Sequence, residues 1–185
     1  RITEGENYIG KSVVRPQTAR LLAGRGVFTD DIKLPRMTHV AFLRSSHAHA
    51  RIVSIDPGAA KALPGVVAVV TGEEMARVCE GWVGTLAHFK GMKSAKEYPL
   101  AIGRATWQGE PVVAVVAESR AVAEDAVARI AVEWDPLPAV TDPETALDPS
   151  TPVIHPELGD NLAFELELTS GDVDRAFREA DAVYS

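Results

Sequence analysis

The chain has 185 residues, 46% hydrophobic and 24% charged, the balance of a soluble globular protein with one good core. A formal charge of −7 excludes a general nucleic-acid surface, which needs a basic face. The single cysteine, Cys79, excludes an internal disulfide and a cysteine-based zinc site, and fits a reducing cytoplasm. No apolar run approaches the roughly 20 residues of a membrane helix, and no signal peptide opens the sequence. Arg1 is not a start methionine, and Asp181-Ala-Val-Tyr-Ser185 reads as the opening of another strand. Both ends are therefore expected to belong to something larger.

Residues 1–37 carry Gly5, Gly10, Gly24, Gly26, Pro16 and Pro35 with few periodic apolar positions, which predicts an extended arm that wraps a neighbour. Gly24-Arg-Gly26 lacks the further glycine or Gly-Lys-Ser/Thr of a phosphate loop and reads as a tight turn. Two strands are predicted next, Thr38 to Arg44 and Arg51 to Ile55, the second with Ile52 and Ile55 apolar. Between them lies Ser45-Ser-His-Ala-His-Ala50. His47 and His49 could form a metal pair, but a site needs a third ligand and an orienting shell, and Arg44 and Arg51 disfavour a cation. The alternative is a hairpin or connector whose histidines hydrogen-bond to backbone or to a partner.

Asp56-Pro57 starts a short helix that Pro64-Gly65 ends. Val66 to Val70 is a β-branched strand, and Thr71-Gly-Glu-Glu74 fits a capping box opening a second short helix to about Cys79. Cys79 has no basic cluster beside it and reads as a small packed hydrophobe. Gly81 to Thr106, with four glycines and the spaced lysines Lys90, Lys93 and Lys96, reads as a long solvated loop; its lysines could also meet an acidic partner.

The clearest unit is Gly109 to Asp135. Pro111-Val-Val-Ala-Val-Val-Ala117 reads as a strand covered on both faces, with Pro111 at its tolerant first position. Ser119 caps a helix whose Val122, Ala123, Ala126, Val127 and Ile130 recur at helical spacing, with a weak Asp125–Arg129 surface pair opposite. Ile130, Val132 and Trp134 then alternate with Ala131, Glu133 and Asp135 in a second strand ended by Pro136 and Pro138. From Pro136 to Pro156 the chain holds six of its twelve prolines, a semi-rigid strap. Asn161 to Thr169 is a weak strand with Leu162, Phe164, Leu166 and Leu168 on one face, and Asp172 to Ala180 is helical with Val173, Ala176, Phe177 and Ala180 on one side.

Several stretches resemble the start of the molybdenum-containing large subunit of the xanthine dehydrogenase, aldehyde oxidase and carbon monoxide dehydrogenase family. They are Gly26-Val-Phe-Thr-Asp-Asp-Ile-Lys-Leu-Pro35, Arg44-Ser-Ser-His-Ala-His-Ala-Arg-Ile52, Ala62-Leu-Pro-Gly-Val66, Gly109-Glu-Pro-Val-Val-Ala114, Val132-Glu-Trp-Asp-Pro-Leu-Pro138 and Ser170-Gly-Asp-Val-Asp-Arg-Ala-Phe177. They follow the family's order across nearly the whole chain and are most like the carbon monoxide dehydrogenase large-chain branch.

The resemblance implies an α/β (α+β) hammerhead domain with a mixed sheet, short covering helices, an extended amino-terminal arm and a proline-rich carboxy-terminal strap. Its parts are expected at 1–37 (arm), 38–140 (hammerhead core) and 141–185 (strap leading into a molybdopterin-binding domain). It implies a cytoplasmic oxidoreductase that oxidises a small substrate at molybdopterin-bound molybdenum, with iron–sulfur clusters and FAD on partner subunits or domains, assembled as a dimer of heterotrimers. The family's molybdopterin-holding residues and the glutamate base of its hydroxylase members lie further downstream, as does the metal-binding cysteine of its carbon monoxide oxidisers, whose position Cys79 does not match. No catalytic, cofactor-binding or metal residue is therefore carried over, and the chain alone is expected to be inactive and to bind no molybdenum. Its expected role is positional, through the arm, the Ser45–Ala50 connector and the Gly81–Thr106 loop. The competing hypothesis is a free-standing, non-enzymatic binding or scaffolding module with the same fold.

Overall fold

The computed structural model describes residues 8–86 and 89–184. The first seven residues of the expected arm, Gly5 among them, two residues of the Gly81–Thr106 loop, and Ser185 lie outside the described residues. The chain divides into two compact units, residues 1–37 and 38–185.

The described part of the first unit is not wholly extended. After Pro16, the run Thr18-Ala-Arg-Leu-Leu forms α1 (Thr18–Leu22), as its leucines, alanine and arginine favour. Gly24, at φ +68°, follows in a turn closed by Gly24 N–H donating to Leu21 O at 3.1 Å. One further turn of 3₁₀ helix covers Thr29–Asp31, where the Asp31 carboxylate accepts from Phe28 N–H at 2.9 Å.

The second unit is built on two three-stranded sheets. β1 (His39–Arg44), β3 (Val66–Thr71) and β7 (Pro111–Ala117) form one, in the order β1-β7-β3. β2 (Ala50–Asp56), β6 (Arg104–Ala105) and β8 (Ala131–Pro136) form the other, in the order β6-β2-β8. A small ladder joins β4 (Trp82–Val83) to β5 (Lys96–Glu97). Every ladder among the described residues is antiparallel. The α/β class stands, but the expected mixed sheet does not. Both edges of β7 are already taken by β1 and β3, so the strand that follows its helix cannot return beside it and pairs with β2 instead.

Four consecutive residues of β7, Val112 to Val115, are buried, as a strand covered on both faces requires. One cover is α4 (Arg120–Val127), capped by Ser119 Oγ accepting from Val122 N–H at 3.3 Å, which packs on β1 and β7. Ala123 and Ala126 are its buried stripe, continued by Ile130 just past its end; Asp125 and Arg129 stay exposed and form no ion pair among the described residues. Ile52 and Ile55 of β2, with Val132 and Trp134 of β8, pack on the same core as Val112, Val113 and Val115. Ile52 and Ile55 are three apart and would face opposite ways in a regular strand. A register irregularity between Ile52 and Ser54 turns both inward.

The short helices sit where their caps put them. Asp56 Oδ1 accepts from Gly58 N–H at 2.9 Å at the head of α2 (Gly58–Lys61). Thr71 and Glu74 close the capping box of α3 (Gly72–Met75), which gives way to turns before Cys79. The Gly81–Thr106 segment differs from a solvated loop, since it holds β4, β5 and β6 and buries Ala95, Leu100, Ala101 and Ala105. Two-residue strands are too short to show a period. Asn161–Thr169 forms no strand among the described residues, because no ladder receives it. Asp172 caps α5 (Val173–Glu179), accepting from Arg175 N–H at 2.9 Å.

Candidate functional site

The Ser45–Ala50 connector passes from β1 to β2, so it joins two sheets rather than closing a hairpin. Ser45 N–H donates to Glu110 O at 2.9 Å and Gly109 N–H to Ser45 O at 2.8 Å, while Arg44 Nη1 donates to Gly109 O at 2.9 Å. Ser45 Oγ donates to His47 O at 2.8 Å and accepts His47 N–H at 3.1 Å, a local clip that leaves the hydroxyl occupied.

The two histidines have separate partners. The His47 ring lies 5.4 Å from that of Trp134, tilted by 56°. His49 is buried, its Nδ1 bonding Pro138 O at 2.7 Å while its own carbonyl accepts Leu137 N–H at 2.9 Å. His49 therefore ties the connector to the chain leaving β8. Among the described residues, no three His, Cys, Asp or Glu side chains gather into a group that could hold a metal ion.

Beside the connector, Lys96, Tyr98, Arg104, Trp107, Glu110 and His155 line a cleft of about 390 Å³. Glu110 Oε2 accepts from Thr106 N–H at 2.6 Å and from Thr106 Oγ1 at 3.2 Å, closing the loop that carries the half-exposed Trp107. On the cleft's other side Glu157 meets Arg104 Nη2 at 3.6 Å and His155 Nδ1 at 3.3 Å. Its carboxyl is held below the usual glutamate range, first by its own backbone N–H and then by His155 and Arg104, against the opposing effect of partial burial. Sequence spacing did not bring this cluster together: Lys96, Tyr98 and Arg104 lay in the Gly81–Thr106 loop, Glu110 in the Gly109–Asp135 unit and His155 in the proline-rich strap, with nothing in the pattern to join them.

Lys93 meets acid from its own chain. Its Nζ pairs with the Asp160 carboxylate and donates to Leu158 O at 3.3 Å, and its N–H donates to Ala163 O at 2.8 Å. The hydrogen bond from Lys93 is the chief reason the Asp160 carboxyl lies below the usual aspartate range, with Leu162 N–H adding to it. Lys96 instead lies over the Tyr98 ring, 5.5 Å from its centroid. Cys79 Sγ lies 3.6 Å from Met75 Sδ, a packing contact.

The family model for the aldehyde oxidase and xanthine dehydrogenase a/b hammerhead domain matches residues 23–138. The chain belongs to that family. The hammerhead sequence is 40% identical over 179 residues to the nicotine 6-hydroxylase large subunit of Paenarthrobacter nicotinovorans, covering 97% of this chain and 22% of that subunit. Among solved structures it resembles quinoline 2-oxidoreductase from Pseudomonas putida 86, with a TM-score of 0.69 and 49% identity over 75% of this chain and 18% of that one. It also resembles the Cu,Mo-CO dehydrogenase, with a TM-score of 0.72 and 34% identity over 94% of this chain and 23% of that one. The hammerhead chain thus spans about a fifth of the length of the relatives it matches.

Proposed function

We propose that this chain serves as the hammerhead domain of the molybdopterin-binding large subunit of a molybdenum hydroxylase-type oxidoreductase, and that its work there is positional. One observation carries this reading: 97% of the chain aligns with 22% of a hydroxylase large subunit at 40% identity. Among the described residues no three His, Cys, Asp or Glu side chains gather that could hold a metal ion directly, and the reading gives this chain no ligand of the molybdenum centre. No step is derived through that centre, and no catalytic, cofactor-binding or metal residue is assigned to this chain. The rest of the reading is an assembly with iron–sulfur and FAD subunits, as a dimer of heterotrimers in the cytoplasm. Large apolar side chains left more than half exposed, Trp82 and Trp107 among them, supply surface for such packing.

The test is the reading frame on both sides of these residues together with the protein purified from its source. The proposal expects several hundred further residues and an assembly that carries molybdenum, iron and flavin. A frame confined to these residues, or an assembly free of molybdenum, would falsify it and leave the free-standing module.

A further inference from the structure

We infer that residues 162–169 are a strand waiting for its sheet, shaped to add to a sheet edge in the remainder of the large subunit; the inference rests on the large-subunit reading above. Leu162, Phe164, Leu166 and Leu168 alternate with Ala163, Glu165, Glu167 and Thr169, the period of a strand with one apolar and one polar face. Yet residues 162–170 adopt no helix, strand, turn or bend, and all of them are exposed. From Phe164 to Thr169 no backbone N–H or C=O meets a hydrogen-bond partner among the described residues. Side-chain pattern and a backbone open to solvent thus coincide over the same residues, and a neighbouring strand would use both at once.

The start of the segment is fixed and the remainder is not. Lys93 N–H holds Ala163 O, Lys93 Nζ holds Asp160, and the Phe164 ring stacks on Phe89 with centroids 4.5 Å apart. Beyond it, Val173 and Phe177 leave the apolar side of α5 exposed as well. The occupant is a sheet of the same large subunit, because this chain accounts for 22% of such a relative and the sheet edge has to come from the other four-fifths. Glu165 and Glu167 on the polar face call for basic or hydroxyl neighbours on the accepting strand, since like charges directly opposite are unfavourable.

Residue-resolved hydrogen exchange on the full subunit in its complex tests this. Successive amides of a strand point to alternate edges, so addition to one edge protects every second amide from Phe164 to Leu168. Proline then discriminates. Of Glu165→Pro and Leu166→Pro, one removes a donor facing the accepting strand and lowers the yield of assembled subunit about tenfold, while the other, its missing N–H on the open edge, changes it less than about twofold. Glu165→Ala assembles normally. Fast exchange throughout 164–168 in a molybdenum-loaded subunit, or two equally tolerated prolines, overturns the strand inference while the large-subunit reading stands. Protection that depends on a second copy of this chain overturns it too. A reading frame without further domains removes the large-subunit reading itself.

Discussion

His49 and Pro138 are joined by a 2.7 Å hydrogen bond between a ring nitrogen and a carbonyl oxygen, across 89 residues of chain. A carbonyl only accepts, so His49 Nδ1 carries the hydrogen; Nε2, on the other side of the ring, is buried without a partner among the described residues. The imidazole thus holds the exit from β8 against the connector between the two sheets.

Removing that ring should cost more than removing its neighbour. His49→Ala is expected to lower stability by about 1–3 kcal/mol, the cost of a lost buried hydrogen bond. His47→Ala gives up only the tilted contact with Trp134 and should cost less than about 1.5 kcal/mol. Denaturant midpoints of the two variants decide; a larger loss for His47 would show that His49 does not anchor the connector.

A second comparison checks the orientation of the central unit. Val115 is fully buried in β7, whereas Glu124 lies on the exposed side of α4. Val115→Ala should cost roughly 2–4 kcal/mol and Glu124→Ala under about 0.5 kcal/mol. Equal shifts in the unfolding midpoint would mean that strand and helix present other faces than these.

What the sequence revealed of this fold follows range in the chain. The β7 run, the Ser119 cap and the Thr71–Glu74 box depend on residues within a few positions, and each formed where its pattern predicted. Sheet membership depends on distant partners, which is why β7 and β8, consecutive in the chain, ended in different sheets. The alternation at 162–169 shows the same limit, since a period of two specifies a strand only when an edge is there to receive it. The link between His49 and Pro138, and that between Arg104 and Glu157, join residues too far apart for spacing to reveal.

The capping box of α3 predicts a pH dependence. Thr71 N–H donates to Glu74 Oε2 at 2.8 Å and is the chief reason the Glu74 carboxyl lies below its ordinary value of 4.5; Thr71 Oγ1, Lys61 and Arg77 add to this, while desolvation opposes it. A carboxyl whose folded value is depressed stabilises the fold above its unfolded value, and that contribution is lost as pH falls through the folded value. Glu74→Gln keeps a capping partner but cannot ionise. At pH 7 the parent chain should therefore be the more stable of the two, and the gap should close on acidification below 4.5. Measured stability differences that stay constant over this range would remove the ionised cap from the account.

The last prediction concerns Gly72, the buried first residue of α3. In a helix, replacing glycine by alanine ordinarily stabilises by up to about 1 kcal/mol, because it restricts the unfolded chain. Here the sign reverses. A Cβ at Gly72 would lie 2.2 Å from Ala101 O and 2.9 Å from both Ala101 C and Ile102 Cγ1. The carbonyl cannot retreat freely, since Ala101 is buried and its N–H donates to Pro111 O at 2.7 Å, at the first residue of β7. Making room for a methyl group therefore means shifting the backbone that flanks the central strand. Gly72→Ala should destabilise by about 1–3 kcal/mol or prevent folding. Gly58, the first residue of α2, is the control: it is exposed, and its Cβ would meet only the Asp56 carboxylate, at 3.0 Å. That exposed side chain can swing aside, giving up its bond to Gly58 N–H while alanine restricts the unfolded chain, so the two effects offset and Gly58→Ala should stay within about 1 kcal/mol of the parent. Thermal or denaturant unfolding of the pair reads the difference, and a Gly72→Ala chain as stable as Gly58→Ala would show that α3 does not press against the Ala101 backbone.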